Sequence, residues 1–127
     1  MQNLILDLRG NPGGLLNSAL QISNIFVEDG QPLMQSQGRG EEPYVYVADE
    51  SLGSVKFNKP AVLLINEGSA SASEIVAGAL AVLRGTDLIG EKSFGKGSVQ
   101  TIFPLSDQSG LRLTTAMYFL PDGSTIH

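Results

Sequence analysis

Two short islands of this chain hold residues able to do covalent chemistry: Gly68-Ser69-Ala70-Ser71-Ala72-Ser73-Glu74 and Ser93-Phe94-Gly95-Lys96-Gly97-Ser98-Val99-Gln100. The first sets serines where a helix should begin. The second sets one lysine between two glycines. The 127 residues contain no cysteine, and the only histidine is the last residue, His127. A hydrolytic site here cannot use a thiol, and imidazole is confined to the terminus. A serine nucleophile with a lysine base is the chemistry left open.

Ser69, Ser71 and Ser73 all qualify as nucleophiles, and composition does not choose among them. The first N–H groups of a helix lack internal partners, and the helix dipole makes that end positive. A nucleophile there can use the N–H of the next residue for an oxyanion; for Ser71 that donor is Ala72. Ser71-Ala72-Ser73-Glu74 equally fits a capping box, with serine capping the helix and glutamate reaching back. A third island, Asn11-Pro12-Gly13-Gly14, joins a strand to a helix. It lacks the G-x-G-x-x-G spacing of dinucleotide sites and the G-K-[ST] of phosphate loops. It reads either as a tight turn or as the source of a second oxyanion donor, the Gly14 N–H. Each such donor is worth about 2.7–4 kcal/mol at a developing oxyanion.

A base must be neutral to accept a proton. Free lysine titrates near ~10.4, so Lys96 would need a downward shift of about 3 units, or about 4 kcal/mol of disfavoured charge. Phe94 and Val99 are the expected source of an apolar surround; the alternative is a solvated loop lysine. Gln100 lies four residues on. In a straight strand it would sit ~13 Å from Lys96, and in a helical turn ~6 Å. If Gln100 orients Lys96, the segment from Lys96 to Gln100 must bend, and Gly97 permits that.

These islands need a scaffold. Leu4–Leu8 is a nearly unbroken apolar run, the pattern of a strand buried on both faces. Leu15–Val27 carries apolar residues at helical spacing and ends at Asp29-Gly30. Segments 32–37 and 43–47 read as a hairpin, and 50–59 as a loop. Ala61–Ile65 is a second buried strand, Ser73–Leu83 a helix and Asp87–Gly90 a third strand. Segments 99–105 and 111–119 form a closing hairpin. The order predicts an α/β fold, a mixed sheet with strand–helix–strand units and a C-terminal antiparallel hairpin. One domain, residues 1–127, is expected. Hydrophobic residues make up 42%, enough for a core, and the net charge of −5 argues against nucleic acid and anionic membranes. No apolar run approaches the ~20 residues needed to span a bilayer, and no signal peptide is visible. Both ends look cut, so an excised core of a larger protein is expected.

Taken in order, the islands resemble the C-terminal processing peptidases, or tail-specific proteases. The matching stretches are Leu4–Leu15, Gly68–Ile75 and Gly90–Gln100, extended by Pro104-Leu105-Ser106-Asp107 and Pro121-Asp122-Gly123. Segment 31–59 is the variable part. The resemblance implies a serine–lysine peptidase on a crotonase-like or Clp-protease-like core. It implies Ser71 as nucleophile, Lys96 as general base, Gln100 as its orienting group, and the Gly14 and Ala72 N–H groups as oxyanion hole. Ser69, Ser73 and Glu74 become structural neighbours of the nucleophile. It implies no cofactor and no metal. The implied substrate is an unfolded protein tail or peptide, and the implied location is extracytoplasmic. Relatives usually carry a membrane anchor or signal, further N-terminal segments and a PDZ domain that captures the substrate's C-terminus. None is present here, so exposed apolar surface and self-association are expected. Two departures, Met117 before the late tyrosine and Ser124 after Pro-Asp-Gly, fall on no assigned catalytic position. A lipophilic-ligand module, like the interphotoreceptor retinoid-binding proteins that share this core, is the rival reading.

Overall fold

The computed structural model describes residues 2–126. His127, with the chain's only imidazole, lies outside the described residues.

Short runs of Leu, Ile and Val form β1 (Leu4–Asp7), β4 (Ala61–Ile65) and β5 (Asp87–Gly90). They pair in parallel in the order β1-β4-β5, with Ile5 opposite Val62 and Leu64 opposite Ile89. Parallel neighbours need crossovers, and helices α1 (Leu16–Phe26) and α2 (Ala72–Arg84) lie in those connections. Four further strands, β2 (Pro32–Gly38), β3 (Tyr44–Val47), β6 (Ser98–Pro104) and β7 (Gly110–Phe119), make an antiparallel sheet in the order β3-β2-β7-β6. The α/β architecture and both hairpins are as the sequence predicts. The parallel and antiparallel strands form two sheets.

One hydrophobic core joins them. Ala19, Leu20 and Phe26 of α1 and Ile75, Val76, Ala79 and Leu80 of α2 pack with Leu63 of the parallel sheet and with Leu33, Met34 and Tyr118 of the antiparallel one. α1 buries one stripe, Ala19, Leu20, Ser23, Asn24 and Phe26, whereas α2 is buried on all sides from Ala72 to Leu80. Gly85 closes α2 in the left-handed region at φ 62°, its N–H bonded to the Ala81 carbonyl. The segment after β3 contains a short 3-10 turn, Glu50–Leu52. Lys56 pins the loop that follows to the end of α1, its ammonium donating to the Asn24 carbonyl and side chain and to Asp29.

One expectation is corrected. The first strand is not buried on both faces: Leu4 and Leu6 pack against the core, but Ile5 is 69% exposed. As the edge of its sheet, β1 has one side without a neighbour, and its alternate residues face away from the helices. The outer part of the β6–β7 ribbon likewise exposes Ile102, Phe103, Leu111 and Leu113.

At the exit of β1, the Arg9 guanidinium donates to both oxygens of the Asp7 carboxylate at 3.0 and 2.8 Å, and the Arg9 backbone N–H adds a third bond. The side-chain bonds foremost, then the backbone one, hold the Asp7 carboxyl down at about 2. A depressed carboxylate adds stability above its unfolded value of ~3.9 and loses it as pH falls towards the folded value. Both groups are exposed, so the effect on stability is small. An NMR titration should find the Asp7 midpoint near 2, and Arg9→Ala should raise it towards ~3.9. A midpoint near ~4 with Arg9 intact would refute the pairing.

Candidate active site

All three islands leave the carboxyl ends of parallel strands. The glycine loop follows β1, the serine loop follows β4 and the lysine loop follows β5. In open α/β sheets the crevice beyond those ends is where ligands bind.

The loops are tied together by buried and half-buried polar side chains. Asn66 Oδ1 accepts the N–H groups of Gly10 (2.8 Å) and Gly68 (3.1 Å), linking the glycine and serine loops. The Ala70 N–H donates to the Asn11 carbonyl at 3.0 Å, and the Phe94 N–H to the Ser69 carbonyl at 2.9 Å. Gly13 lies so close to the serine loop that a Cβ there would fall 2.6 Å from the Ala70 oxygen and 2.8 Å from the Ala72 nitrogen. Gly13 also sits at φ 95°, so two independent constraints require glycine.

The three serines, equivalent in the sequence, differ in the structure. The Ser69 hydroxyl is buried and donates to the Leu8 carbonyl at 2.7 Å while accepting the Asn66 N–H. The Ser73 hydroxyl is buried and donates to the Asn11 carbonyl at 3.1 Å. Both serve to hold loops. Ser71 is half-buried and stands at the N-cap of α2. It has the capping-box arrangement with Glu74, yet its hydroxyl makes no cap hydrogen bond, and the Glu74 N–H goes to the Ser71 carbonyl at 2.9 Å. Its backbone is strained, with φ 56° and ψ −116°, a conformation that costs a non-glycine residue about 1–3 kcal/mol and persists where the surroundings enforce it.

Glu74 enforces it. The side chain is 4% exposed, and its carboxylate accepts four hydrogen bonds. Oε1 takes the Ser93 hydroxyl at 2.7 Å and the Gly95 N–H at 2.6 Å. Oε2 takes the N–H groups of Ser71 and Lys96, both at 2.8 Å. One oxygen atom thus bridges the backbones of the serine and lysine islands. Sequence reasoning placed Glu74 only as a neighbour of Ser71. Its i+3 position in the capping box was the visible signal; the second loop it grips was not visible.

The N–H groups of Gly14 and Ala72 have no acceptor among the described residues, and both residues line one cavity. Lys96 lies on the surface, and no hydrogen bond joins its ammonium to Ser71 or Gln100 among the described residues. The apolar surround expected of Phe94 is absent, since Phe94 is itself 70% exposed. The loop leaves β5, an edge strand whose residues are all exposed, and only Gly97 along it is buried. The bend expected between Lys96 and Gln100 is met only in part. Gly97 is not in the left-handed region, residues 98–100 already belong to β6, and the irregularity within the segment is a register shift against β7 between Val99 and Gln100. Gln100 is exposed on β6 opposite Thr114.

The sheets, the crossover helices and the loop cluster at the strand ends define an α/β core of Clp-protease-like type. The sequence model of peptidase family S41 matches residues 1–127, and the chain belongs to that family, which includes the C-terminal processing peptidases. It is 49% identical, over 99% of its length, to 29% of the carboxy-terminal-processing protease of Bartonella bacilliformis. It is 45% identical, over 97% of its length, to 26% of the carboxy-terminal processing protease CtpA of Bacillus subtilis. Among solved structures, a photosystem II D1 C-terminal processing protease superposes with a TM-score of 0.89 at 37% identity, covering 100% of this chain and 32% of that one. The chain therefore spans less than a third of the curated relatives it matches.

Proposed function

We propose that these residues are the catalytic core of a serine-type peptidase that cuts unfolded protein tails by acyl transfer. Neutral Lys96 takes the proton from the Ser71 hydroxyl as that oxygen attacks a peptide carbonyl carbon. The carbonyl oxygen gains the negative charge and lies between the Gly14 and Ala72 N–H groups. As the C–N bond breaks, protonated Lys96 gives its proton to the leaving amine. Water, deprotonated by Lys96, then cleaves the Ser71 ester. Gln100 orients the amine.

The observation that carries this reading is the single Glu74 oxygen shared by the Ser71 and Lys96 N–H groups. A helix cap alone has no need to reach the second loop. Two further points support it: Ser71 is the one serine of its island whose hydroxyl holds no neighbouring loop, and its relatives are proteases by name. Lys96 is exposed, so the reading requires substrate, or chain beyond these residues, to cover it. The family resemblance adds a substrate-capturing PDZ domain and an extracytoplasmic location to the proposal. The apolar residues exposed on β6 and β7 favour contact with further protein, a second copy of the chain included. The lipophilic-carrier reading gains nothing from the relatives found.

The test is Ser71→Ala in the natural polypeptide that carries this sequence, assayed on an unstructured protein. Cleavage should fall to background, and cleavage at the normal rate would sink the assignment.

A further inference from the structure

The antiparallel sheet ends at β3, which pairs with β2 on one side and with no strand among the described residues on the other. The ladder shows which groups face the open side. The Ala48 N–H donates to the Gln31 carbonyl and the Ala48 carbonyl accepts the Gly30 N–H, so Ala48 is turned towards β2. Backbone direction alternates along a strand. Tyr44 and Tyr46 therefore bond towards β2, and the N–H and C=O groups of Val45 and Val47 point outward. The extra residue at the register shift lies on β2, between Pro32 and Met34, so it does not disturb this alternation. A groove of about 270 Å³ runs beside every residue of β3. Leu20 of α1 and Leu52 of the 3-10 turn line it, with Tyr44 and Tyr46 meeting edge to face at 4.8 Å. Carboxylates flank the strand at both ends, Glu41 and Glu42 before it and Asp49 and Glu50 after it.

We propose that β3 receives an extended segment of a partner protein as an added strand, a segment with apolar residues at alternate positions and a lysine or arginine near each end. The outward groups of Val45 and Val47 supply main-chain pairing, which works for any sequence. Selection comes from the groove and from charge. Every second side chain of a strand falls on one face, so alternate apolar residues of the segment cover Leu20, Leu52 and the ring of Tyr44, itself 64% exposed. Residues 40–51 carry four carboxylates and no cation. Arg39 stands at the hairpin turn just before them. Lys56, which also approaches Asp49, is already engaged by Asp29 at 2.7 Å and by Asn24. Basic residues at the ends of the segment therefore meet unneutralised carboxylates. A second copy of the chain is a poor occupant. Two β3 edges meeting antiparallel would set Glu41 and Glu42 of one against Asp49 and Glu50 of the other, and like charges placed opposite each other destabilise pairing. The net charge of −5 adds to that repulsion.

The test uses the natural polypeptide carrying Ser71→Ala, so that the probe is not cut. The probe is a fluorescein-tagged, C-terminally amidated peptide with three Thr-Val repeats between two lysines, and binding is read by fluorescence anisotropy. Saturable binding is expected, weakened by added salt and by about 10-fold or more when glutamates replace both lysines. Methylating the backbone nitrogens of the valines alone, or of the threonines alone, should give opposite results, because only one set faces β3. One methylated peptide should lose about 10-fold or more and the other should bind as before. In the protein, Val45→Pro removes an outward N–H and no bond to β2, and should weaken binding by a similar factor. Glu42→Lys, at an exposed residue, should weaken the lysine peptide and tighten the glutamate one. Neither substitution touches the loops at the parallel strand ends, so fluorophosphonate labelling of Ser71, with that serine restored, should be unchanged. The proposal is overturned by no saturable binding up to about 1 mM probe, by equal binding of the two methylated peptides, or by binding indifferent to both Val45→Pro and Glu42→Lys.

Discussion

Lys96→Met is expected to reduce kcat/KM by a factor on the order of 10⁴ or more, the range seen when one member of a nucleophile–base unit is removed. The loss is large because the Ser71 hydroxyl is a poor nucleophile until its proton has somewhere to go. Lys96→Arg should fare no better: a guanidinium keeps its proton at any working pH and cannot act as a base. Folding should be nearly unaffected, since Lys96 contributes its backbone N–H to the Glu74 carboxylate while its side chain is exposed. In the unsubstituted enzyme, activity should rise with pH, because only the neutral amine accepts a proton. Steady-state assays beside thermal melts check the split. A Lys96→Met enzyme within about 10-fold of the original would remove lysine from the mechanism, because general-base catalysis is worth about 10²–10⁴-fold.

Glu74→Gln is the second large effect, and it acts through position. A carboxamide has one acceptor oxygen where the carboxylate has two, and each carboxylate oxygen here serves two donors. Either orientation of glutamine leaves two donors facing its NH2. Each buried group left without a partner costs about 1–3 kcal/mol, so a loss of roughly 2–6 kcal/mol in stability is expected. If the amide nitrogen faces Ser71 and Lys96, the bridge between the islands opens. A displacement near 1 Å at a reacting group can cost about 10²-fold in rate, so kcat should fall by at least about that factor in whatever fraction remains folded. Denaturant titration and kcat on the same sample separate the two losses. Near-normal values of both would show that the Glu74 bridge does not position the site.

The distinction between these residues explains what the sequence could and could not disclose. The serine island, Lys96 and Gly14 stand out by type and spacing, and the strands that carry their loops stand out as apolar runs. The need for a bend between Lys96 and Gln100, if Gln100 orients Lys96, follows from chain geometry alone; the structure shows there a register shift between Val99 and Gln100 within β6, which begins at Ser98. The choice among Ser69, Ser71 and Ser73 was invisible, because it depends on which carbonyls lie opposite: Leu8 and Asn11, both some sixty positions away, engage Ser69 and Ser73. The reach of Glu74 into the second loop was hidden for the same reason. Composition around Lys96 misled in one respect. Phe94 and Val99 suggested shelter, but shelter depends on what lies beyond the edge strand β5, and local sequence does not encode that. The unbroken apolar run of β1 misled likewise, because Ile5 faces away from both helices.

The central claim is that Ser71 is a nucleophile activated by Lys96. It is tested most directly by treating the natural polypeptide with a fluorophosphonate and locating the adduct by peptide mass spectrometry. The account predicts a phosphonylated Ser71 that forms readily in the unsubstituted enzyme and is nearly lost in Lys96→Met. An adduct on Ser69 or Ser73, or one on Ser71 that forms equally fast without Lys96, would contradict it.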